Sequence, residues 1–312
     1  MNRAQILTLF VLSVLVTGCH GTTNRFTPTT SGDFVDLVVS GSYAFAIQRS
    51  FGMHIVDVSD PSQAHEVGSF QSGDVTHVKI VDNLAFLAGS RPCLQIVDVS
   101  NPRSPKSVGQ IDPTGLICNG ADLAVDGHLV YFSAGIEGIF IFDVSDPRTP
   151  VRLGNFKSNS FLSDTHVAVA GDKLYVAGSS DFQVLDVSDP MAPVALSSSL
   201  DVGSNPLALV VQGPRAYVAD SFGGLRILDV TTPASPRILT DYKPSILGAD
   251  VIVAPNGSIW YGDYDGLHQL DLTDLAHPKD QRFVAIHSVN RIAVQGPHAY
   301  VAGSTSIVIL DL

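Results

Sequence analysis

The stretch Ile55-Val56-Asp57-Val58-Ser59-Asp60-Pro61 returns as Ile96-Val97-Asp98-Val99-Ser100-Asn101-Pro102 and again as Ile141-Phe142-Asp143-Val144-Ser145-Asp146-Pro147. Val184-Leu185-Asp186-Val187-Ser188-Asp189-Pro190 and Ile227-Leu228-Asp229-Val230-Thr231-Thr232-Pro233 follow, and two worn copies, at Gln269–Asp274 and Ile309–Leu312, bring the total to seven. Their aspartates fall at 57, 98, 143, 186, 229, 271 and 311, between 40 and 45 residues apart. A repeat of roughly 40–45 residues built only of strand-like segments is the length of a β-propeller blade. The spacing predicts an all-β chain, a seven-bladed β-propeller of four-stranded antiparallel blades.

The first blade gives the pattern. Asp36–Val39 is an apolar run closed by Ser40-Gly41-Ser42, and Tyr43–Ile47 is a second run of good strand formers. A loop from Gln48 to Gly52 leads to Met53–Val58 and then to the motif turn, after which Glu66–Phe70 forms a more polar last strand. Falling hydrophobicity across four strands fits a blade buried at its inner edge and wet at its outer edge. The pairs Asp82-Asn83, Asp126-Gly127, Gly171-Asp172 and Asn256-Gly257 mark hairpin turns suited to positive φ. The seventh copy stops at Leu312 after a third strand. Closing a ring removes exposed strand edges, so the segment around Arg25-Phe26-Thr27 is expected to supply the missing outer strand, shortened by Pro28.

Composition narrows the partners. The net charge of −12 comes with no basic cluster, which argues against nucleic acid and against an electrostatic grip on anionic lipid. A run of about eleven apolar residues, Ile6–Val16, follows the basic start Asn2-Arg3. It is the length of a secretory h-region and too short to span a bilayer. It ends in Val16-Thr17-Gly18-Cys19, which resembles the lipobox of bacterial lipoproteins. The resemblance implies cleavage before Cys19 and a diacylglyceryl group on its thiol, and His20 in place of Asp implies onward export to the outer membrane. Residues 1–18 are therefore expected to be a lipoprotein signal peptide, 19–32 the lipidated cysteine, tether and closing strand, and 33–312 the propeller. The expected location is the bacterial envelope, periplasmic or surface-exposed.

The motif turns, together with second strands such as Ala216-Tyr217-Val218-Ala219 and Ala299-Tyr300-Val301-Ala302, resemble the LVIVD repeats of bacterial and archaeal surface proteins over residues 33–312. That resemblance implies a propeller at the cell envelope and carries over no catalytic residue. The sixth copy departs most, with Gln269 in place of an aliphatic residue and Leu275 in place of the proline.

Repetition of the motif aspartates in every blade points to turn capping by Asx and Ser/Thr side chains, not to calcium, which needs six to eight converging oxygens. Alignment of the inner-strand starts gives a second column: Asp36, His77, Asp122, His166, Ala208, Asp250 and Arg291. These should form a polar ring at one mouth of the channel. His77, Asp122 and His166 come from consecutive blades and suit a divalent transition metal. A solvated ring with Arg291 balancing the aspartates explains the same residues, and no cofactor is expected. Loops between second and third strands share that face and vary from copy to copy, as a binding surface on a repeat scaffold does. Phe51, Phe222 and Tyr264 are the contact candidates. Cys93 and Cys118 fall on the same face and are candidates for a disulfide.

There is no Gly-x-Ser-x-Gly elbow and no phosphate loop. The preferred function is a non-enzymatic, envelope-anchored binding or scaffold lipoprotein, held to the membrane by lipid on Cys19. It would engage a protein or glycan through the variable loops, with its oligomeric state open. The alternative is a hydrolase or lactonase-like enzyme, with or without a metal, working at the channel mouth.

Overall fold

In the computed structural model, which describes residues 23–111, 118, 122–157, 165–179, 181–203, 205–244 and 247–312, the repeated aspartate closes the third strand of its blade and caps the turn beyond it. Asp57 Oδ1 accepts the Ser59 N–H at 2.9 Å and the Ser59 hydroxyl at 2.6 Å. The same pair of bonds recurs at Asp186 with Ser188, Asp229 with Thr231 and Asp271 with Thr273. Those bonds to the ionised form hold Asp186 and Asp229 down at about 2. One step on, Asp60, Asn101, Asp146, Asp189 and Asp274 each accept an N–H two residues ahead. The motif is turn chemistry, as its repetition implied.

Seven antiparallel sheets form among the described residues. Blade one comprises Phe34–Ser40, Tyr43–Gln48, Gly52–Asp57 and His65–Gln71, each strand paired to the next. Blades two, three, five and six repeat that order. In blade four the outer strand is split into Val194–Ala195 and Leu200–Asp201, both paired to Asp181–Asp186. The hairpin positions carry the expected positive φ at Asp82, Gly127, Gly171 and Gly257.

The ring closes with the N-terminal segment. Thr23–Phe26 pairs antiparallel with Ile307–Asp311 as the fourth strand of blade seven, with Thr23 opposite Leu310 and Phe26 opposite Ile307. Phe26 packs with Phe34 and Leu37 of blade one and with Tyr300 and Ile309 of blade seven, so the closure joins first and last blades through one apolar cluster. Similar clusters fill the other blade-to-blade interfaces; Ile47, Ile55, Val78 and Leu87, for example, join blades one and two. Burying such side chains contributes roughly 1.5–3 kcal/mol each. Among the described residues no helix is long and apolar enough to cross a membrane.

Outer strands are tied to the next blade by close backbone approach. A Cβ on Gly68 would meet the carbonyl oxygen of Pro102, one on Gly109 that of Pro147, and one on Gly154 that of Pro190. The motif proline and the outer-strand glycine of the preceding blade thus form one contact.

Candidate functional site

The inner strands line a channel of about 350 Å³, bordered near one mouth by Asp36, His77, Asp122, His166, Asp250 and Arg291. The structure brings these six residues of the aligned column together at the channel. Strand pairing shifts register immediately before Asp36, His77, Ala208 and Asp250. A one-residue bulge re-aims the side chain that follows it, and of the ring residues it precedes Asp36, His77 and Asp250.

The ring aspartates reach across blades. Asp36 accepts the N–H of Leu37 in its own blade at 2.9 Å and that of Val78 in the next blade at 2.7 Å. Asp122 does the same with Leu123 at 2.7 Å and Val167 at 3.1 Å. Asp250 does so with Val251 at 2.9 Å and Ile292 at 2.7 Å. In each case the residue before the clamped amide is cationic or can become so: His77, His166 and Arg291. The six ionisable residues thus fall into three couples across neighbouring blades, each a carboxylate and the residue preceding the amide it clamps (Asp36 with His77, Asp122 with His166, Asp250 with Arg291), and Ala208 stands outside the pattern.

The two halves of the ring are balanced differently. Arg291 Nε lies 3.6 Å from Asp36 Oδ1, and its Nη1 donates to the Asn290 carbonyl at 2.9 Å. Burial pushes the Asp250 carboxyl up to about 6, against the pull of Arg291 and the Ile292 N–H. On the other side His166 Nδ1 lies 3.3 Å from Asp122 Oδ2, and the His77 and His166 rings meet edge to face at 6.0 Å. Burial opposes charge on Asp122, but the His77 and His166 imidazoles outweigh it and hold the carboxyl well below the usual range. Burial pushes the His77 imidazole down, against the pull of Asp122 and Asp36.

Around the mouth the loops of blades five and six form a connected rim. Asp220 Oδ1 accepts the N–H groups of Phe222 and Gly223, and its Oδ2 accepts that of Asn205. Asp263 Oδ1 accepts those of Asp265 and Gly266. Both carboxylates are buried, so the loops are built from beneath. Gly248 N–H donates to Ser221, and Tyr264 N–H to Leu247, joining the two loops through the segment between them. Phe222 is 68% exposed, Tyr264 49% and Leu247 38%. Phe51 is placed differently: half-buried, it stacks on the His54 imidazole with centroids 4.4 Å apart.

His54 and His268 were not singled out by the sequence reading. His54 is buried, with Nε2 3.0 Å from Gln48 Oε1 and Nδ1 3.2 Å from Glu66 Oε2. His268 lies between Asp263 at 3.2 Å and Asp280 at 3.0 Å. Burial opposes its charge, but the two carboxylates raise the imidazole above its usual value. Both histidines stand three residues before the motif aspartate on a third strand, where Gln95, Gln183 and Arg226 also break the apolar run. That column was readable in the sequence.

Cys93 and Cys118 form a disulfide with Cα atoms 5.5 Å apart. It joins the second-to-third-strand loop of blade two to Cys118, four residues before Asp122. Cys19 and the rest of residues 1–22 lie outside the described residues.

The LVIVD repeat family matches residues 31–71, 72–112, 119–158, 164–202, 207–243 and 287–312. The unmatched interval contains blade six, the copy whose motif departs most. A comparison with curated proteins finds no match. Similar solved structures include a chain described as the mitotic checkpoint complex, 12% identical with a TM-score of 0.76 and 99% of each chain covered. The WD40 β-propeller domain of Doa1 is 13% identical with a TM-score of 0.70, covering 93% of this chain and 95% of that one. The computationally designed Ika8 protein is 10% identical with a TM-score of 0.64, covering 91% and 97%. At these identities the likeness is one of fold.

Proposed function

The chain belongs to the LVIVD-repeat family, and from that premise we propose that it is a bacterial outer-membrane lipoprotein, anchored through Cys19, that binds an envelope protein or glycan through the rim of blades five and six. A propeller of LVIVD repeats has a binding or scaffold role. The observation that carries the finer reading is the exposure of Phe222, Leu247 and Tyr264 on loops that buried Asp220 and Asp263 hold in shape. Aromatic side chains on a fixed support supply large contact area at small entropic cost. The repeated turns on the opposite face are spent on their own capping bonds. Anchoring is supported by the apolar run and the Val16-Thr17-Gly18-Cys19 sequence.

Cross-linking pull-down from envelope extracts tests the reading, with the native chain compared with the Phe222→Ser/Tyr264→Ser double variant. The expected result is a partner or glycan fraction captured by the native protein and lost from the variant, with thermal stability unchanged. Equal capture by both proteins would remove the rim from the proposal. Metabolic labelling with a fatty acid, lost in Cys19→Ser, checks the anchor.

A further inference from the structure

We infer that His77, Asp122 and His166 form a binding site for one divalent transition-metal ion of the zinc class in the channel wall, where one donor atom from each lies within 4.8 Å of the others. His77 and His166 lie on the inner strands of blades two and four, and Asp122 immediately precedes that of blade three. Two imidazoles and a carboxylate are a ligand set suited to zinc, cobalt or iron(II), and three protein ligands leave positions for water or a small anion from the channel.

Four observations on this half of the ring support the site. First, His77 Nε2 is buried and finds no hydrogen-bond partner among the described residues, while its Nδ1 stands 3.2 Å from the Thr76 hydroxyl. A buried polar atom left without a partner is costly, and coordination satisfies it. Second, Asp122 is oriented in advance. The Leu123 and Val167 N–H groups hold its two oxygens, the kind of outer contact that fixes a ligating carboxylate. Third, the Cys93–Cys118 disulfide ties Cys118, four residues before Asp122, to the second-to-third-strand loop of blade two. Fourth, the other half of the ring is closed to such an ion because Arg291 already stands against Asp36.

Tetrahedral bonds of about 2.0–2.1 Å place donors roughly 3.3 Å apart. The trio must therefore draw together by up to about 1.5 Å, a distance that side-chain torsions cover without moving the strands. The site is independent of the rim, and substitutions at one leave the other intact.

The test uses the full chain purified without a polyhistidine tag, stripped with EDTA and titrated with Zn2+ and, separately, Co2+. One equivalent should bind with a dissociation constant in the micromolar range or tighter, and Co2+ should give visible absorption with nitrogen and oxygen ligation. His77→Ala and His166→Ala should each weaken the site at least tenfold. His277→Ala, which removes an imidazole 85% exposed on the turn face, should leave it unchanged. His77→Gln, close in volume, covers the case in which the alanine variant does not fold. Absence of a stoichiometric site, or a site that survives the His77 and His166 substitutions, overturns the inference.

Discussion

Asp36 accepts the backbone N–H of Val78, a residue of the neighbouring blade, at 2.7 Å while accepting that of Leu37 in its own blade. The carboxylate is buried, so the bond operates where water cannot replace it. Asp122 and Asp250 repeat the arrangement. The ring at the channel mouth is therefore first a set of clamps between adjacent blades, and any binding chemistry there is built on residues that already hold the fold.

Removing such a clamp should be costly. Asp36→Ala leaves two buried donors unpaired and is expected to lower stability by roughly 2–4 kcal/mol. Asp36→Asn keeps one accepting oxygen and should lose less. Hydrogen exchange at the Val78 amide reads the contact directly. Protection there that is unchanged in Asp36→Ala would mean the clamp carries no weight.

Asp250 gives the fold a pH dependence of defined sign. Its native value of about 6 lies above the usual carboxylate value of about 3.9. Between those values the native state binds more protons than the unfolded state, so this group's contribution to stability is fully present below about 3.9 and is lost as the pH rises through 6. Relative to Asp250→Asn, the native chain should gain roughly 2 kcal/mol on going from pH 7 to pH 4. Denaturant midpoints measured across that range provide the comparison. A difference between the two proteins that stays constant with pH would contradict the assignment.

Gly109→Ala probes the contact between outer strand and motif turn. The added methyl meets the Pro147 carbonyl oxygen, a backbone atom, and overpacking of this kind costs roughly 1–3 kcal/mol. Lys106→Ala, on the exposed start of the same strand, should stay within about 0.5 kcal/mol of the native value. Equal midpoints for the two variants would show that the neighbouring blade gives way freely.

The motif made the architecture legible because it combines a strand end with a capped turn, and both are local chemistry. Arg25-Phe26 could be placed in the seventh blade because a ring leaves only one edge to fill. The channel column was visible as an alignment, but its pairing was not. The partners of Asp36, Asp122 and Asp250 lie some 42 to 45 residues ahead, and the bulges before Asp36 and Asp250 leave no residue signature. Phe51 read as a free aromatic because its stacking partner, His54, belongs to a column of polar residues hidden inside otherwise apolar third strands. Phe222 and Tyr264 read more simply, since the loops that carry them are capped by their own aspartates.

The closing strand has a direction as well as a partner. Thr23 lies beside Leu310, at the motif-turn end of blade seven, and Phe26 lies beside Ile307, at the loop end. The closing strand therefore begins, at Thr23, on the turn side of the disc. Only His20, Gly21 and Thr22 separate Cys19 from that strand, a reach of roughly 14 Å when fully extended. On the proposed anchoring, the bilayer would lie close beneath the seven repeated turns, and the channel mouth with Phe222 and Tyr264 would look away from it. The short leash would act as a compass, holding the variable face toward whatever passes on the far side.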